Sequence, residues 1–283
     1  MTNYIGIDIG GSNTRIGLFL TLDAPNFAVL AKFPTSQSYA HQLAAIDTAL
    51  RTASLASLAG IGISIAGRLA KDGQSIIVAP NLPEYVNQPF AHDISLLAGC
   101  PVRLAHDAVC GLLAEKKFGA IRDVDRSAYL TVSTGTGAAI QLSQANIRLT
   151  SSIEIGHQIL DGNTRQCLCG QIGCLETYTG GRQLELRYGQ SLAEMTSSVF
   201  WNTFADKLAL GLVNLAMLTR IDAIAISGAI ALSNPSLIAQ VQHNIDTMLV
   251  GAALEVRIAT LAENAPLVGA ALLLETPSET VLH

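Results

Sequence analysis

The sequence lacks any cluster of basic residues. Its 17 lysines and arginines are spread among 22 aspartates and glutamates, and the formal net charge is −5. Proteins that bind nucleic acids generally present a basic patch, so we expect no nucleic-acid partner. A small phosphate-rich ligand remains compatible with this charge, because backbone amides can bind phosphate without cationic side chains.

The sequence also lacks long apolar runs, although 49% of its residues are hydrophobic. A helix that crosses a bilayer needs about 20 apolar residues. The nearest stretch, LALGLVNLAMLTR, is interrupted by Asn214 and ends at Arg220, which indicates a buried helix. The first residues, MTNYIGIDIGG, place an aspartate and glycines where a signal peptide has its apolar segment. We therefore expect a cytoplasmic protein with no membrane partner.

Cysteine is scarce, but three of the five cysteines lie within eight positions, at Cys167, Cys169 and Cys174. Structural disulfides are rare in the cytoplasm, and an odd number of cysteines agrees with their absence. His157 precedes the cluster and gives the spacing H-x9-C-x-C-x4-C. Three thiolates and one imidazole form a closed tetrahedral set that predicts a structural zinc site. The alternative interpretation is free thiols in a loop beside an ordinary histidine.

Two segments show the same pattern of strand, glycine-containing turn and strand. The first is YIGIDI (4–9) followed by GGSN and TRIGLFL, and the second is SAYLTVSTGTGAAIQLS (127–143). A dinucleotide fold or a P-loop would need a helix after the turn and a different glycine spacing. Because one hairpin heads each half of the chain, the pattern predicts an internal duplication with a cleft between the halves.

Several motifs resemble those of one family, in the family's order along nearly the whole chain. CLCGQIGCLE resembles the C-x-C-G-x-x-G-C-x-E signature of the ROK family, and EIGH (154–157) resembles its E-x-G-H motif. The two glycine turns resemble its phosphate motifs, ISGAIA (226–231) resembles its adenosine motif, and PNLP (80–83) also has a counterpart.

This resemblance implies the α/β two-domain actin-like ATPase fold shared with hexokinase, a duplicated ribonuclease-H-like architecture with ATP and sugar in the interdomain cleft. We expect a smaller N-terminal domain of residues 1–105 and 267–283. A larger C-terminal domain of residues 106–266 would carry the zinc loop. Relatives are commonly dimers, so we also expect a homodimer.

The resemblance further implies ATP-dependent phosphorylation of a hexose or hexosamine, usually on the 6-hydroxyl. Asp107 lies at a strand–helix junction and is the candidate general base. Aspartate is also a favoured helix N-cap, and both roles are compatible. Asp8 ends the first strand and is the candidate to hold Mg²⁺ through water.

The residues expected to bind ATP share positions in the two turns, the first strand and the adenosine motif; they are Asp8, Gly10, Gly11, Ser12, Asn13, Thr14, Gly135, Thr136, Gly137 and Gly228. We expect glycine to supply close approach and unusual φ angles there. The residues expected to bind the sugar are Gly67, Asn81, His106, Asp107, Glu154, His157 and Glu176. One ring nitrogen of His157 would bind zinc, and the other would contact a sugar oxygen.

The sequence departs from the family at three places, of which the third is a lack of glycines before Glu154 and a short segment between Glu176 and ISGAIA. His106 precedes Asp107 where the family usually has asparagine, and an imidazole is bulkier and donates at only one nitrogen. We therefore expect an altered sugar preference. Ala138 and Ala139 follow the second turn where the family has more glycine, and we expect their methyl groups to weaken nucleotide binding.

The alternative function is a non-catalytic sugar sensor of the same family, because the family includes transcriptional repressors. The first phosphate motif begins at residue 6, so we expect no helix-turn-helix before it, and such a sensor would act through protein contacts. A different phosphotransferase of the same fold, such as an acetate kinase, offers no reason for the cysteine signature.

Overall fold

The computed structural model describes residues 3–53, 57–144 and 147–282. The chain divides into two compact units, one of Met1–Ala114 with Asn264–His283 and the other of Glu115–Glu263. The predicted boundaries, after residues 105 and 266, differ from these divisions, because residues 106–114 and 264–266, with Asp107 among them, belong to the first unit. The first division falls inside the helix that begins at Asp107. The sequence pattern indicates where this helix begins, but it does not indicate a domain boundary within the helix.

The strands are β1 (Asn3–Ile9), β2 (Asn13–Phe19), β3 (Ala28–Pro34), β4 (Leu58–Ile65), β5 (Arg68–Leu69), β6 (Ile76–Val78), β7 (Val102–His106), β8 (Arg126–Val132), β9 (Thr136–Gln144), β10 (Ile147–Ile153), β11 (Ala223–Ser227), β12 (Glu255–Ile258) and β13 (Val281–Leu282). The α-helices are α1 (Tyr39–Thr52), α2 (Phe90–Ala98), α3 (Asp107–Phe118), α4 (Glu176–Thr179), α5 (Gly181–Tyr188), α6 (Ser198–Thr219), α7 (Ala229–Ser233), α8 (Pro235–Met248) and α9 (Ala265–Leu272).

The first unit is built on a mixed sheet with the order β3-β2-β1-β4-β7. β1, β2 and β3 are antiparallel neighbours, and β4 and β7 continue the sheet in parallel with β1. The isoleucines of β1 and β4 are fully buried, as expected for parallel strands covered on both faces. The predicted hairpin around GGSN is confirmed as β1–β2.

Helix α9 packs on this sheet through small residues. A Cβ added to Gly6 in β1 would lie 2.6 Å from the carbonyl oxygen of Leu267, and one on Gly62 in β4 would overlap that of Ala270. Glycine is needed at both positions because the helix backbone approaches the strands directly. The last helix of the chain thereby completes the core that the first strands begin.

The second unit repeats this topology. Its sheet contains the strand order β12-β11-β8-β9-β10, with three antiparallel strands followed by two parallel ones. The predicted second hairpin is confirmed as β8–β9, and the matching strand orders support the predicted duplication. The apolar stretch noted above lies in α6, which packs on α8 and contributes to the hydrophobic core.

A buried carboxylate organises the start and the end of the second unit. Glu115, its first residue, is fully buried and accepts hydrogen bonds from the backbone amides of Ala120, Thr260 and Leu261. These bonds satisfy the buried oxygens of the side chain, which would otherwise lack the partners that water provides.

In the part of the chain that the structure describes, none of the helices combines the length and apolar character needed to cross a bilayer. α6 is the longest at 22 residues. It carries polar side chains on one side, including Asn214, whose amide donates to Gln158.

Candidate functional site

The first glycine turn joins β1 to β2 through residues 10–13. Ile9 and Thr14 are the last paired residues, and the amide of Gly10 donates to the carbonyl of Asn13 at 3.0 Å. The tip, residues 11–13, is exposed. A Cβ on Gly11 would make only ordinary contact with Asn81, at 3.9 Å, so the predicted residue Asn81 lies beside this turn.

The reason for glycine in these turns differs from the expectation. The φ angles of Gly10, Gly11, Gly135 and Gly137 lie outside the left-handed region. The backbone angles at these four positions are therefore open to other residues and do not explain why glycine occurs there. In the first turn the missing side chains leave the exposed backbone open to close approach by a phosphate, whereas in the second turn Gly135 makes room for the carboxylate of Glu176.

Thr14 supports the first turn from beneath. It is fully buried, its hydroxyl lies 3.0 Å from that of Thr35, and it accepts a hydrogen bond from Gln42 at 2.7 Å. Thr35 in turn donates to the carbonyl of Gly10 at 2.7 Å. The hydroxyl of Thr14 therefore stabilises the turn and is not displayed with the exposed tip residues.

Asp8 lies one residue before the end of β1 and has a partner for each carboxylate oxygen. Arg15 donates to Oδ2 at 2.8 Å, and Ser64 donates to Oδ1 at 3.0 Å. Burial raises the pKa of Asp8 above its ordinary value, although Arg15 opposes this shift. Carboxylate oxygens each offer two lone pairs, so Asp8 retains acceptor capacity for a metal-bound water.

Asp107 is the first residue of α3, at the predicted strand–helix junction. Its Oδ1 lies 2.9 Å from Nδ1 of His106 and accepts the amide of Ala108 at 2.7 Å. Burial favours the neutral acid, but His106 and the Ala108 amide outweigh it and lower the pKa of Asp107 below its ordinary value. The carboxylate is thus held ionised and oriented, with 29% of the side chain exposed.

Gly67 has a backbone reason to be glycine. Its φ is +130°, and a Cβ there would lie 2.6 Å from the carbonyl oxygen of Val78. It connects β4 to β5, the strand that pairs with β6. Its predicted contact with the sugar stays a prediction.

The second glycine turn joins β8 to β9 through residues 133–135. Val132 pairs with Thr136, which is buried and has its hydroxyl 2.8 Å from that of Thr179. The amide of Thr136 donates to Oε2 of Glu176 at 2.7 Å. A Cβ on Gly135 would lie 2.8 Å from the same oxygen, so this carboxylate touches the turn directly.

Ala138 and Ala139 do not lie at the surface of the second turn. Both are fully buried within β9, and Ala138 belongs to the hydrophobic core. The expectation that their methyl groups lie beside a phosphate is therefore wrong. Strand β9 has already entered the sheet at these positions, where small apolar side chains pack well.

A cavity of about 600 Å³ opens beside the second turn. The carbonyls of Ser133 and Thr134 in its wall accept hydrogen bonds from the amides of Gly181 and Arg182, at the start of α5. The remaining lining residues are Glu185, Ser191, Leu192, Ala193, Met195, Trp201, Ala229, Ile230, Ser233 and Asn234. The predicted adenosine motif contributes Ala229 and Ile230, so it reaches a cavity large enough for a nucleoside.

Gly228 within that motif has a strict steric role. Its φ is +93°, and a Cβ would overlap the backbone of Val132 at the end of β8. The other lining side chains come from segments far apart in sequence, such as Arg182 and Trp201, and no motif marked them. Ser233 and Asn234 follow the adenosine motif closely, and this proximity was the only sequence signal for them.

The predicted zinc ligands come together. Nδ1 of His157 lies 3.9 Å from Sγ of Cys167, and the sulfurs of Cys169 and Cys174 are 3.7 Å apart. All four ligand atoms lie within 4.8 Å of one another. A tetrahedral zinc with Zn–S bonds of about 2.3 Å requires sulfurs about 3.8 Å apart, so the donor set fits the metal in type and spacing.

The loop around these ligands is shaped for the cluster. Gly170 and Gly173 have φ angles of +95° and +92°, which residues other than glycine rarely adopt. Burial opposes ionisation of Cys169, but hydrogen bonds from Gln171 contribute to lowering its pKa to about 7. The thiolate of Cys169 is thereby favoured, and it is the form that binds metals, whereas burial raises the pKa values of Cys167 and Cys174.

Glu154 and Glu176 occupy different environments. Glu154 is exposed just before the short helical turn of residues 155–157. Glu176 is half-buried at the start of α4 and accepts hydrogen bonds from Thr136 and Gln183. A Cβ on Gly156 would lie 3.3 Å from Oε2 of Glu176, so the EIGH motif and the glutamate of the cysteine signature are in contact.

Comparison with known proteins identifies the relatives of this chain. A sequence model described as "ROK family" matches residues 4–276. The chain is 29% identical to an N-acetylmannosamine kinase from Vibrio vulnificus (strain CMCP6) over an alignment of 285 residues with its gaps. The alignment covers 94% of this chain and 96% of the kinase. It is 35% identical to a putative xylose repressor from Caldicellulosiruptor sp. (strain Rt8B.4) over 127 residues. That match covers 44% of this chain and 32% of the repressor.

The fold has well-matched solved counterparts. A ROK family glucokinase from Streptomyces griseus, solved in complex with glucose and AMPPNP, matches with a TM-score of 0.78 and 23% identity. The match covers 96% of this chain and 98% of the glucokinase. The structure therefore has the two-domain actin-like ATPase fold, and the protein belongs to the ROK family.

Proposed function

We propose that the protein is an ATP-dependent kinase that phosphorylates a hexose or hexosamine on its 6-hydroxyl, with Asp107 as general base. The observation that carries this proposal is the oriented, ionised carboxylate of Asp107 at the start of α3. The similarity to an N-acetylmannosamine kinase over nearly the whole chain supports it.

The proposed reaction needs positioning and charge neutralisation more than covalent chemistry. The sugar hydroxyl oxygen forms a bond to the γ-phosphorus while the bond from that phosphorus to the oxygen of ADP breaks. The hydroxyl proton passes to Asp107. Because Oδ1 is held by His106 and Ala108, Oδ2 is the oxygen that we assign to this proton. General-base catalysis of this kind contributes about 10²–10⁴-fold.

The two glycine turns are the proposed phosphate-binding elements. The exposed residues 11–13 of the first turn and the partly exposed Gly135 of the second would present amides to phosphate oxygens. Adenosine would occupy the 600 Å³ cavity beside the second turn. Thr14 and Thr136 are buried, so we assign them the support of these turns.

Asp8 would hold Mg²⁺ through a bound water, because Arg15 and Ser64 already occupy part of its acceptor capacity. When bound, Mg²⁺ neutralises charge on the transferred phosphoryl group. His157 and the three cysteines would hold a structural zinc ion that fixes the loop of residues 157–174. With Nδ1 of His157 in this cluster, its other ring nitrogen is available to our proposed sugar contact, together with Glu154 and Glu176.

A second candidate function is a sugar sensor that performs no catalysis. The similarity to a putative xylose repressor favours it, and so does His106 in place of the family's asparagine. We also propose a homodimer by analogy with the family. A cytoplasmic location would supply ATP and keep the five free thiols reduced.

A coupled assay of ADP release over a panel of hexoses and hexosamines tests the proposal. We expect one or a few sugars to stimulate ADP release, and phosphorus NMR of the product to show a 6-phosphate. Asp107→Asn should abolish the stimulation while calorimetry still detects sugar binding. Tight sugar binding by the unaltered protein with no ADP release would establish the sensor and reject the kinase.

A further inference from the structure

A buried glutamine lies between the cysteine cluster and the second glycine turn. Gln183, in α5, has only 6% of its surface exposed. Its Nε2 donates to Sγ of Cys167 at 3.1 Å and to Oε1 of Glu176 at 3.0 Å, and its Oε1 accepts the amide of Leu168 at 3.4 Å. The amide thus uses both of its donors and its acceptor, and these partners determine its orientation.

Glu176 extends this connection to the turn. Its second oxygen, Oε2, accepts a hydrogen bond from the backbone amide of Thr136 at 2.7 Å, and Thr136 is the residue that closes the turn. An uninterrupted series of contacts therefore runs from Cys167 through Gln183 and Glu176 to Thr136. Every member of the series lies in the second unit.

We propose that Gln183 is a positioning residue that couples metal occupancy of the cysteine cluster to the geometry of the second turn, and thereby to nucleotide affinity. Only the nucleotide part rests on the proposed function. The structural part concerns contacts within the second unit.

The coupling follows from the burial of the amide. With a metal bound, the sulfur of Cys167 is held at one position by its coordinate bond. Without the metal the side chain can change rotamer, and Gln183 loses the acceptor at 3.1 Å. A buried donor without an acceptor is unfavourable, so the amide turns toward new partners and withdraws from Glu176. The carboxylate then holds the Thr136 amide less firmly.

The position of the turn makes this loosening consequential. Ser133 and Thr134, the first residues of the turn, form part of the wall of the 600 Å³ cavity. Their carbonyls also accept the amides that begin α5, the helix that carries Gln183. A displacement of Gln183 therefore acts on the turn through the carboxylate of Glu176 and through the start of the helix.

The experiment compares Gln183→Leu with a matched control, Gln171→Leu. Gln171 also donates to cluster sulfurs, to Cys169 at 3.5 Å and Cys174 at 3.7 Å, and the described contacts of its side chain do not reach Glu176. Zinc content, the affinity for ADP by calorimetry, and hydrogen exchange of the segment 132–138 would be measured. Each protein is examined as purified with zinc and after treatment with a chelator.

In the unaltered protein we expect zinc removal to weaken ADP binding about tenfold, within the roughly 5- to 150-fold range typical of energetic coupling between two sites. Exchange in the segment 132–138 should become faster. Gln183→Leu should already show both changes with zinc bound and respond little to the chelator. Loss of the Gln171 hydrogen bonds can lower the zinc affinity, but Gln171→Leu loaded with zinc should match the zinc-loaded unaltered protein in ADP affinity and in exchange of the segment 132–138.

Equal exchange in the zinc-loaded Gln183→Leu and Gln171→Leu proteins would overturn the proposal, as would a chain that takes up no zinc. If the chelator unfolds the protein by circular dichroism, the two zinc-loaded variants decide the question. If exchange responds as expected but no form binds ADP, the coupling stands and the proposed nucleotide function fails.

Discussion

The two hairpins that head the two units have the same topology and the same support beneath the turn. Thr14 and Thr136 occupy matching positions, since each is the first residue paired after its turn, with Ile9 and Val132 respectively. Each threonine is buried with its hydroxyl against that of a second threonine. A repeated backbone plan has therefore kept a repeated internal support.

The hairpins differ one step inward from the turn. In the first, Asp8 pairs with Arg15 across the strands, and their side chains form an ion pair at 2.8 Å. In the second, the matching pair is Thr131 and Gly137, which carry no charge. The first copy has acidic chemistry at this position, whereas the second has its carboxylate, Glu176, supplied from outside the hairpin. The difference shows that a duplicated scaffold divides its tasks through a few side chains.

The largest expected effect is the loss of activity when Asp107, the candidate base in the first unit, is replaced. Asp107→Asn keeps the shape of the side chain but removes the proton acceptor, so we expect kcat to fall about 10²–10⁴-fold with little change in sugar affinity. Steady-state kinetics and sugar calorimetry measure the two quantities. A kcat within threefold of the unaltered protein would show that the acid of the first unit is not the base.

The shared support is tested by replacing each buried threonine. Thr14→Val removes a hydroxyl that contacts Thr35 and Gln42 and leaves buried polar groups without partners, at a cost of about 1–3 kcal/mol in the free energy of unfolding. Thr136→Val removes the contact with Thr179 and should cost less. Urea unfolding of both variants measures this. No loss in either variant would contradict the shared support, and a larger loss for Thr136→Val would contradict the expected order.

The charge difference between the hairpins is tested at matching positions. Asp8→Asn should raise the Mg²⁺ concentration for half-maximal activity about tenfold, equivalent to about 1.4 kcal/mol, because the carboxylate charge is lost. Thr131→Val, at the equivalent site, should change it less than twofold. Mg²⁺ titrations of both variants provide the measurement. Equal shifts would mean that the two hairpins do not divide their tasks as described.

The smallest expected effect concerns His106 and pH. The pKa of Asp107 is below its ordinary value, so the carboxylate stays ionised when the pH falls to that ordinary pKa. Protonation of Asp107 should therefore reduce activity only at a pH below the ordinary pKa of an aspartate. His106→Leu removes the strongest influence opposing burial, so the pKa rises and the acid limb of the kcat/KM profile should move to higher pH.

His106→Asn is the matched control for that variant. Its amide can donate near the same carboxylate oxygen, so the acid limb should stay closer to that of the unaltered protein, while relative rates across a sugar panel change. Identical acid limbs in the leucine variant and the unaltered protein would remove His106 from the positioning of Asp107. An unchanged sugar preference in the asparagine variant would refute its role in specificity.

Local chemistry made much of the site predictable. Asp107 follows a strand and precedes a helix, and the structure begins α3 at that residue. The glycines and cysteines between residues 167 and 174 are close in sequence, so a short loop necessarily brings most of the metal ligands together. Predictions failed where the outcome depended on what covers a residue. Ala138 and Ala139 follow a turn in sequence but are enclosed by the core of the second unit.

Four features could be predicted from the amino-acid sequence alone: the paired hairpins, the family, the junction at Asp107 and the composition of the Cys/His cluster. Each depends on residues close along the chain or on an ordered set of motifs. Three other features became visible only in the folded chain: Glu176 supports the second turn, Gln183 links Glu176 to Cys167, and Trp201 and Arg182 line one cavity. Such contacts join residues distant in sequence, and their geometry is set by packing of the whole unit rather than by any local pattern.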